Sequence, residues 1–353
     1  MPDESEPTQT NATRGELTVL VMAEVPKAMR GSVFQSKPLR SAPHYFETSV
    51  PHQVLVGDEE RRVLGRPVTF LLKGYPPDIF LVTAKVPAPD IFGTAVFELE
   101  EALTAACFEI VKARGGSRKF SETYSVFTVA GYAGEPERFL DAHGATIAAL
   151  LKSERVELDR KEVEYTLATN IKYAKHDLAI VDWDGAFLFD IEGDFDQTIE
   201  LLTLANVQLL RHRIMDHQLD ERLAAIAELV KAPLALNRAL RSADLSDELR
   251  WILKERAAAI TQFQTLERDI KLIGDWYLAR LYDLAARKFK LHEWRASLRE
   301  KLEAIERIYA TVIENFSVSE KERTERRQMI AEWVLIVGWF VLIVLELYFY
   351  LTR

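Results

Sequence analysis

A chain of 353 residues with 48% hydrophobic content has room for two domains, each with a packed core. A formal net charge of −9 gives no global field for nucleic acid, so any such contact must come from a local patch. The single Cys107 excludes an internal disulfide framework and a thiolate metal cluster, and fits a reducing compartment.

Residues 1–16 are polar and acidic, with neither the apolar stretch of a secretory signal nor the basic amphipathic pattern of a mitochondrial presequence, and read as a disordered arm. Strands are expected near Leu17 to Val21, Val50 to Val56, Val68 to Leu72 and Ile79 to Val86, each short and bounded by Gly, Pro or Asp. A helix follows from about Phe97 to Arg114, where Gly115 and Gly116 supply a stop. After it come a strand (Tyr124 to Val129), a helix opened by Pro136, and a stretch of alternating strands. The clearest of these is a hairpin, LAIVDWDGAFLFDI, with Asp184 and Gly185 at the turn. Of the 15 glycines 13 lie at or before Gly193, and of the 13 prolines 12 lie at or before Pro136, so turns crowd the first half and long helices are free to form in the second. The fold class is therefore α+β: a mixed domain over 17–193, a long helix over 194–232, a helical hairpin or coiled-coil stalk over 233–328, and a transmembrane helix over 329–351.

The acidic residues around the hairpin (Asp182, Asp184, Asp190, Glu192, Asp194, Asp196) lack the spacing of a calcium loop and read as solvated turns. In the next helix, Asn206, Arg213 and Asp220 recur every seven residues with Asp216 between them, on one face with Leu202, Leu209 and Leu223. That is a candidate polar network in which Arg213 neutralises Asp216 or Asp220. His212, Asp216 and Asp220, at i, i+4, i+8, form a weaker metal-ligand stripe. No HExxH, P-loop, GxGxxG or GxSxG occurs, so enzyme chemistry has no recognisable handle and no cofactor is expected.

In the stalk, Phe263, Leu266, Ile270, Ile273 and Tyr277 follow a 3,4 spacing that Leu298, Leu302, Ile305, Tyr309, Val312 and Phe316 resume in another phase. The break between them is either a stutter or a hairpin turn. Basic residues gather there (Arg287, Lys288, Lys290, Arg295, Arg299, Lys301), beside Phe289 and Trp294, a patch suited to a helix face in water or to anionic partners. The run MIAEWVLIVGWFVLIVLELYFYL that follows is roughly 34 Å long as a helix, enough to cross a bilayer. Lys321, Arg323, Arg326 and Arg327 before it, with Trp333, Trp339, Tyr348 and Tyr350, fit a tail anchor that keeps the bulk of the chain cytoplasmic. Glu332, Trp339 and Glu346 are spaced by sevens, with Gly338 beside them, which makes a candidate self-association seam and a homo-oligomer.

The helix residues Asn206, Gln208, Leu209, Leu210, Arg213, Asp216, Leu219 and Asp220, with Glu332, Trp333 and Glu346, resemble the "required for meiotic nuclear division" family, also called the YagE family, over roughly residues 120–350. The resemblance implies a mixed N-terminal domain, a helical region with coiled-coil character and a C-terminal membrane helix carrying a glutamate. It implies a membrane-tethered organising role with protein partners. Since eukaryotic relatives are associated with the mitochondrial inner membrane and mitochondrial translation, it also raises a ribosome or RNA partner by analogy. The lack of a presequence favours a bacterial inner membrane. No catalytic residue carries over. The expectation is a membrane-anchored scaffold or tether, with a ribosome- or RNA-associated factor and a metal-dependent hydrolase as alternatives.

Overall fold

A computed structural model describes residues 13–26, 53–231 and 276–351. Most of the expected N-terminal arm and the first stalk seam through Phe263, Leu266, Ile270 and Ile273 lie outside the described residues. For Val312, Phe316, Lys321, Arg323, Glu346, Tyr348 and Tyr350 the helical backbone is described and the side chains lie outside the description.

Strand β1 (Arg14–Glu24) is a near-continuous apolar run, and it is buried on both sides in the middle of an eight-stranded sheet. Such a run needs cover on both faces. It pairs antiparallel with β4 (Ile79–Pro87) and with β5 (Ser121–Ala130). Outward from β4 come β3 (Arg66–Tyr75) and β2 (Val54–Val63); beyond β5 come β8 (Gly185–Phe189), β7 (Leu178–Val181) and β6 (Asn170–Ile171). Every neighbouring pair is antiparallel except β5 with β8. Strand β2 continues through the charged DEERR stretch that the hydrophobic pattern ended at Val56; on a sheet edge those charges face water and discourage edge pairing. Its hairpin to β3 turns on Leu64 and Gly65, both at positive φ (48° and 77°), the twist that a two-residue hairpin needs.

Alternation along β1 divides the two cores. Leu17, Val19 and Val21 meet helix α1 (Ala95–Ala113) and helix α2 (Glu137–Leu151), whose Leu103, Cys107, Ile147 and Leu151 complete the first core. Burial pushes the Cys107 thiol up to about 12 and leaves it inert. Helix α3 (Arg160–Ala168) lies against α2, in the stretch read from the sequence as strands. The overlooked signal is Asp159, an N-cap whose carboxylate accepts from the Lys161 N–H at 2.9 Å.

Leu20 and Met22 face the opposite way, onto helix α4 (Asp196–Lys231) and helix α5 (Trp276–Lys288). Residues 201–210 of α4 are buried all round, so this half of the helix is part of the α/β core, although composition had separated it from the domain at residue 193. Helix α6 (Leu291–Leu351) follows after a corner at Phe289 and Lys290, where Lys290 has φ 51°. That corner accounts for the phase break in the apolar spacing.

By contacts the chain forms one unit of residues 1–217 with 261–297 and a second of 218–260 with 298–353. In the second, Leu219 and Ile226 of α4 and Leu298, Leu302, Ile305 and Tyr309 of α6 are buried, and Lys301 Nζ meets Asp220 Oδ1 at 2.6 Å.

Candidate functional site

The parallel strands β5 and β8 end on the same rim of the sheet, and the helices that follow them depart to opposite faces, α2 to the first core and α4 to the second. Such a divergence opens a crevice outside the carboxyl ends of the strands, the usual place for a ligand in an open α/β sheet. A cleft of about 400 Å³ lies there. Its floor is the start of β1 (Arg14, Gly15, Glu16) with Thr128 and Ala130 of β5, and its walls are Pro87, Pro89 and the β8–α4 loop residues Glu192, Gly193 and Phe195.

Two glycines shape it. A Cβ at Gly15 would come within 2.4 Å of the Ala88 carbonyl oxygen, whose own N–H donates to the Gly15 carbonyl at 2.8 Å, so only glycine allows β1 this close to the chain after β4. Gly193 has φ 85° and donates its N–H to Asp190 Oδ1 at 2.7 Å, which turns the loop into α4. The Gly131 N–H donates to the Ile191 carbonyl at 3.1 Å and ties together the two diverging loops. Glu16 pairs with Lys85 at 3.1 Å, and its carbonyl accepts from Thr128 Oγ1 at 3.4 Å. The side chains of Arg14 and Glu192 are exposed, and neither has a hydrogen bond or ion pair among the described residues.

The polar seam expected on α4 is arranged differently from its sequence pattern. Asn206 is buried and donates to the Leu202 carbonyl of its own helix at 2.9 Å. Arg213 crosses to β5, donating to Glu122 and to the Ser121 carbonyl, so the expected local pairing with Asp216 or Asp220 gives way to a contact with the sheet. Burial pushes the Glu122 carboxyl up, against the Arg213 guanidinium, which holds it down. Asp216 is half-buried, and Asp220 is taken by Lys301. His212 is buried, and its imidazole is pushed down to about 3 by burial, then by Arg295 and Arg211. Along the stripe His212 is buried whereas Asp220 is exposed and paired with Lys301; among the described residues no three His, Cys, Asp or Glu side chains are grouped to hold a metal.

Sequence reasoning missed other anchors. Glu200, one turn into α4, accepts from Gln53, from Lys73 at 3.1 Å and from the buried Tyr75 hydroxyl at 3.1 Å. Arg211 caps the Pro76 carbonyl at 2.7 Å. Asp182, read as a solvated turn residue, is buried; its carboxylate meets Lys288 of α5 at 2.8 Å and Lys152, just past α2, at 3.3 Å. The lone signal was a basic residue at each helix end, which spacing could not connect to Asp182.

The basic patch is split. Lys288 and Arg295 turn inward, Lys288 also 5.0 Å from the centre of the Tyr165 ring, and Lys301 is ion-paired, while Arg287, Lys290 and Arg299 are exposed. Farther along α6, the segment Arg326–Val344 is long and apolar enough to cross a membrane, and none of it is buried. Glu332 and Trp339 are both exposed on it, and a Cβ at Gly338 would meet nothing within 4 Å.

Comparison with known proteins adds a lineage without an activity. The chain is 28% identical over 214 residues to "Uncharacterized protein MJ0711" of Methanocaldococcus jannaschii, an alignment covering 61% of this chain and 64% of that protein, under two thirds of the relative's length. No solved structure matches. The family model for "Uncharacterized protein MJ0711, N-terminal domain" matches residues 20–196. These findings support a domain of uncharacterised function and do not support the YagE or meiotic-division naming. The match covers half of the chain, from within β1 to the first residue of α4, and the chain belongs to the family of the MJ0711 N-terminal domain.

Proposed function

We propose that the chain is a single-pass membrane protein that holds its mixed α/β unit at a bilayer and works there as a tether or scaffold. The observation that carries this reading is the segment Arg326–Val344, apolar and unburied around its whole circumference. A core helix of a soluble protein would be covered, and at 0% burial this one is not. Trp333, Leu335, Val337, Trp339 and Phe340 are each at least half exposed, which in water would be an aggregation surface and in lipid is ordinary. A cytoplasmic side for the α/β unit is part of the proposal, supported by Arg326 and Arg327 at the start of the segment through the positive-inside rule. The seven-residue spacing of Glu332, Trp339 and Glu346 makes self-association through this helix part of the proposal, as is kinship with the YagE family, whose order of mixed domain, helices and membrane helix is similar.

Alkaline carbonate extraction of membranes carrying the full chain tests the reading. The wild type is expected to stay in the pellet. Val337→Lys with Phe340→Lys is expected to move it to the supernatant, since each lysine costs about 3 kcal/mol near the bilayer centre. A wild-type protein extracted by carbonate removes the proposal.

A further inference from the structure

We infer that the cleft at the ends of β5 and β8 binds a small zwitterion of the α-amino-acid class, its carboxylate on Arg14 and its ammonium on Glu192. The cavity volume, about 400 Å³, is within the range of small-molecule sites and far above what one water needs. Arg14 and Glu192 line this cavity with opposite charges, and the side chain of neither is engaged by any described residue. A guanidinium grips a carboxylate through two parallel N–H donors, and a carboxylate accepts from an ammonium.

The surrounding charges choose among ligands. Glu16, Glu192, Asp194 and Asp196 stand in or beside the cleft against Arg14 and Lys85, and Lys85 is already paired with Glu16. A phosphate or other multiply charged anion would meet more carboxylates than cations. The first turn of α4, which would otherwise attract an anion, carries its own Asp196. A ligand with one carboxylate and one ammonium adds no net charge to this setting. Pro87, Pro89, Ala130 and Phe195 supply apolar walls for its side chain. On the same face of β1 as Arg14 and Glu16, Thr18 holds a hydroxyl that is 1% exposed and has no hydrogen-bond partner among the described residues, so the inner end of this face has polar capacity to spare.

The test is calorimetric titration and thermal unfolding of the full-length protein in detergent micelles, with leucine, phenylalanine, their decarboxylated amines and inorganic phosphate as probes. An amino acid is expected to bind and raise the unfolding midpoint, and its amine to bind about tenfold or more weakly. Arg14→Gln and Glu192→Gln, both at exposed positions, are expected to weaken amino-acid binding by about tenfold or more, and Arg155→Gln, on an ion pair outside the cleft lining, to leave it unchanged. Equal binding of amine and amino acid, tighter binding of phosphate, or no binding of either amino acid at millimolar concentration overturns the inference. None of these readouts involves a bilayer, so the result stands apart from the membrane reading.

Discussion

On one face of the sheet, α1 and α2 close a core in which buried polar groups are few, chiefly Glu100, Ser125 and Thr166; on the other, α4 carries Thr203, Asn206, Gln208 and His212 into burial among its leucines. Both faces bury comparable apolar runs, so the hydrophobic gain is similar and the polar content is what distinguishes them. A leucine can slide along a helix with little penalty, whereas a buried amide or guanidinium loses its partner when the helix shifts. The first face therefore supplies stability with loose positional demands. The second fixes where α4 sits, through Glu200 on Tyr75, Arg211 on the Pro76 carbonyl and the Tyr282 hydroxyl donating to Gln208 at 2.6 Å.

The contrast can be broken most forcefully on the apolar face. Phe187 is fully buried with rings of Phe92, Phe127 and Phe189 at 5.2–5.7 Å between centroids, and Phe187→Ala is expected to cost about 3–5 kcal/mol in urea unfolding of the full chain. A loss below about 1 kcal/mol would mean that this face repacks freely. Next comes the β7–β8 turn, where Asp182 gathers a lysine following α2 and one ending α5. Asp182→Ala leaves two half-buried ammonium groups facing one another and is expected to cost about 2–3 kcal/mol, allowing for partial solvent access to both lysines.

The effect that is smallest per step sharpens the comparison through pH. His212 is neutral in the fold and protonates in the unfolded chain, so its contribution is fully present above the ordinary imidazole value of 6.5 and is lost as pH falls toward its folded value of about 3. The expected loss is about 1.4 kcal/mol per pH unit through that window. Glu100 and Glu122, whose carboxyls are pushed up by burial, act with the opposite sign and favour the fold as pH falls. The readout is therefore the difference between wild type and His212→Gln from pH 7 to pH 4, which isolates the imidazole; a difference that stays flat would place His212 in contact with solvent.

Long elements with a single period were legible in the sequence. The helix over Asp196–Lys231 and the hairpin around Asp184 follow from apolar spacing and turn residues alone. Strand β2 was half legible, since an edge strand keeps its charges and loses the alternation that betrays a strand. The polar seam of α4 was legible as a set of residues and illegible as a set of partners, because Arg213 spans to Glu122, 91 residues away in sequence. The cleft was invisible for the same reason: Arg14, Pro87, Thr128 and Glu192 share no window, and the topology alone gathers them. A charged residue near a strand end looks the same in sequence whether it faces water, as Glu192 does, or a half-buried lysine pair, as Asp182 does.

The span matched by the family model, residues 20–196, stops where α4 begins, and α5 at Trp276–Lys288 is later still. Yet Leu20, Met22, Tyr124, Val126 and Leu188 depend on those two helices for cover. A polypeptide released at residue 196 would thus present a bare apolar sheet face to the solvent. During synthesis the missing layer begins with α4 and is complete only with α5, immediately before the helix that leads to the apolar segment. The fold is completed as the apolar segment is about to emerge, so on the proposed membrane reading folding of the domain and insertion of that segment fall next to each other in time.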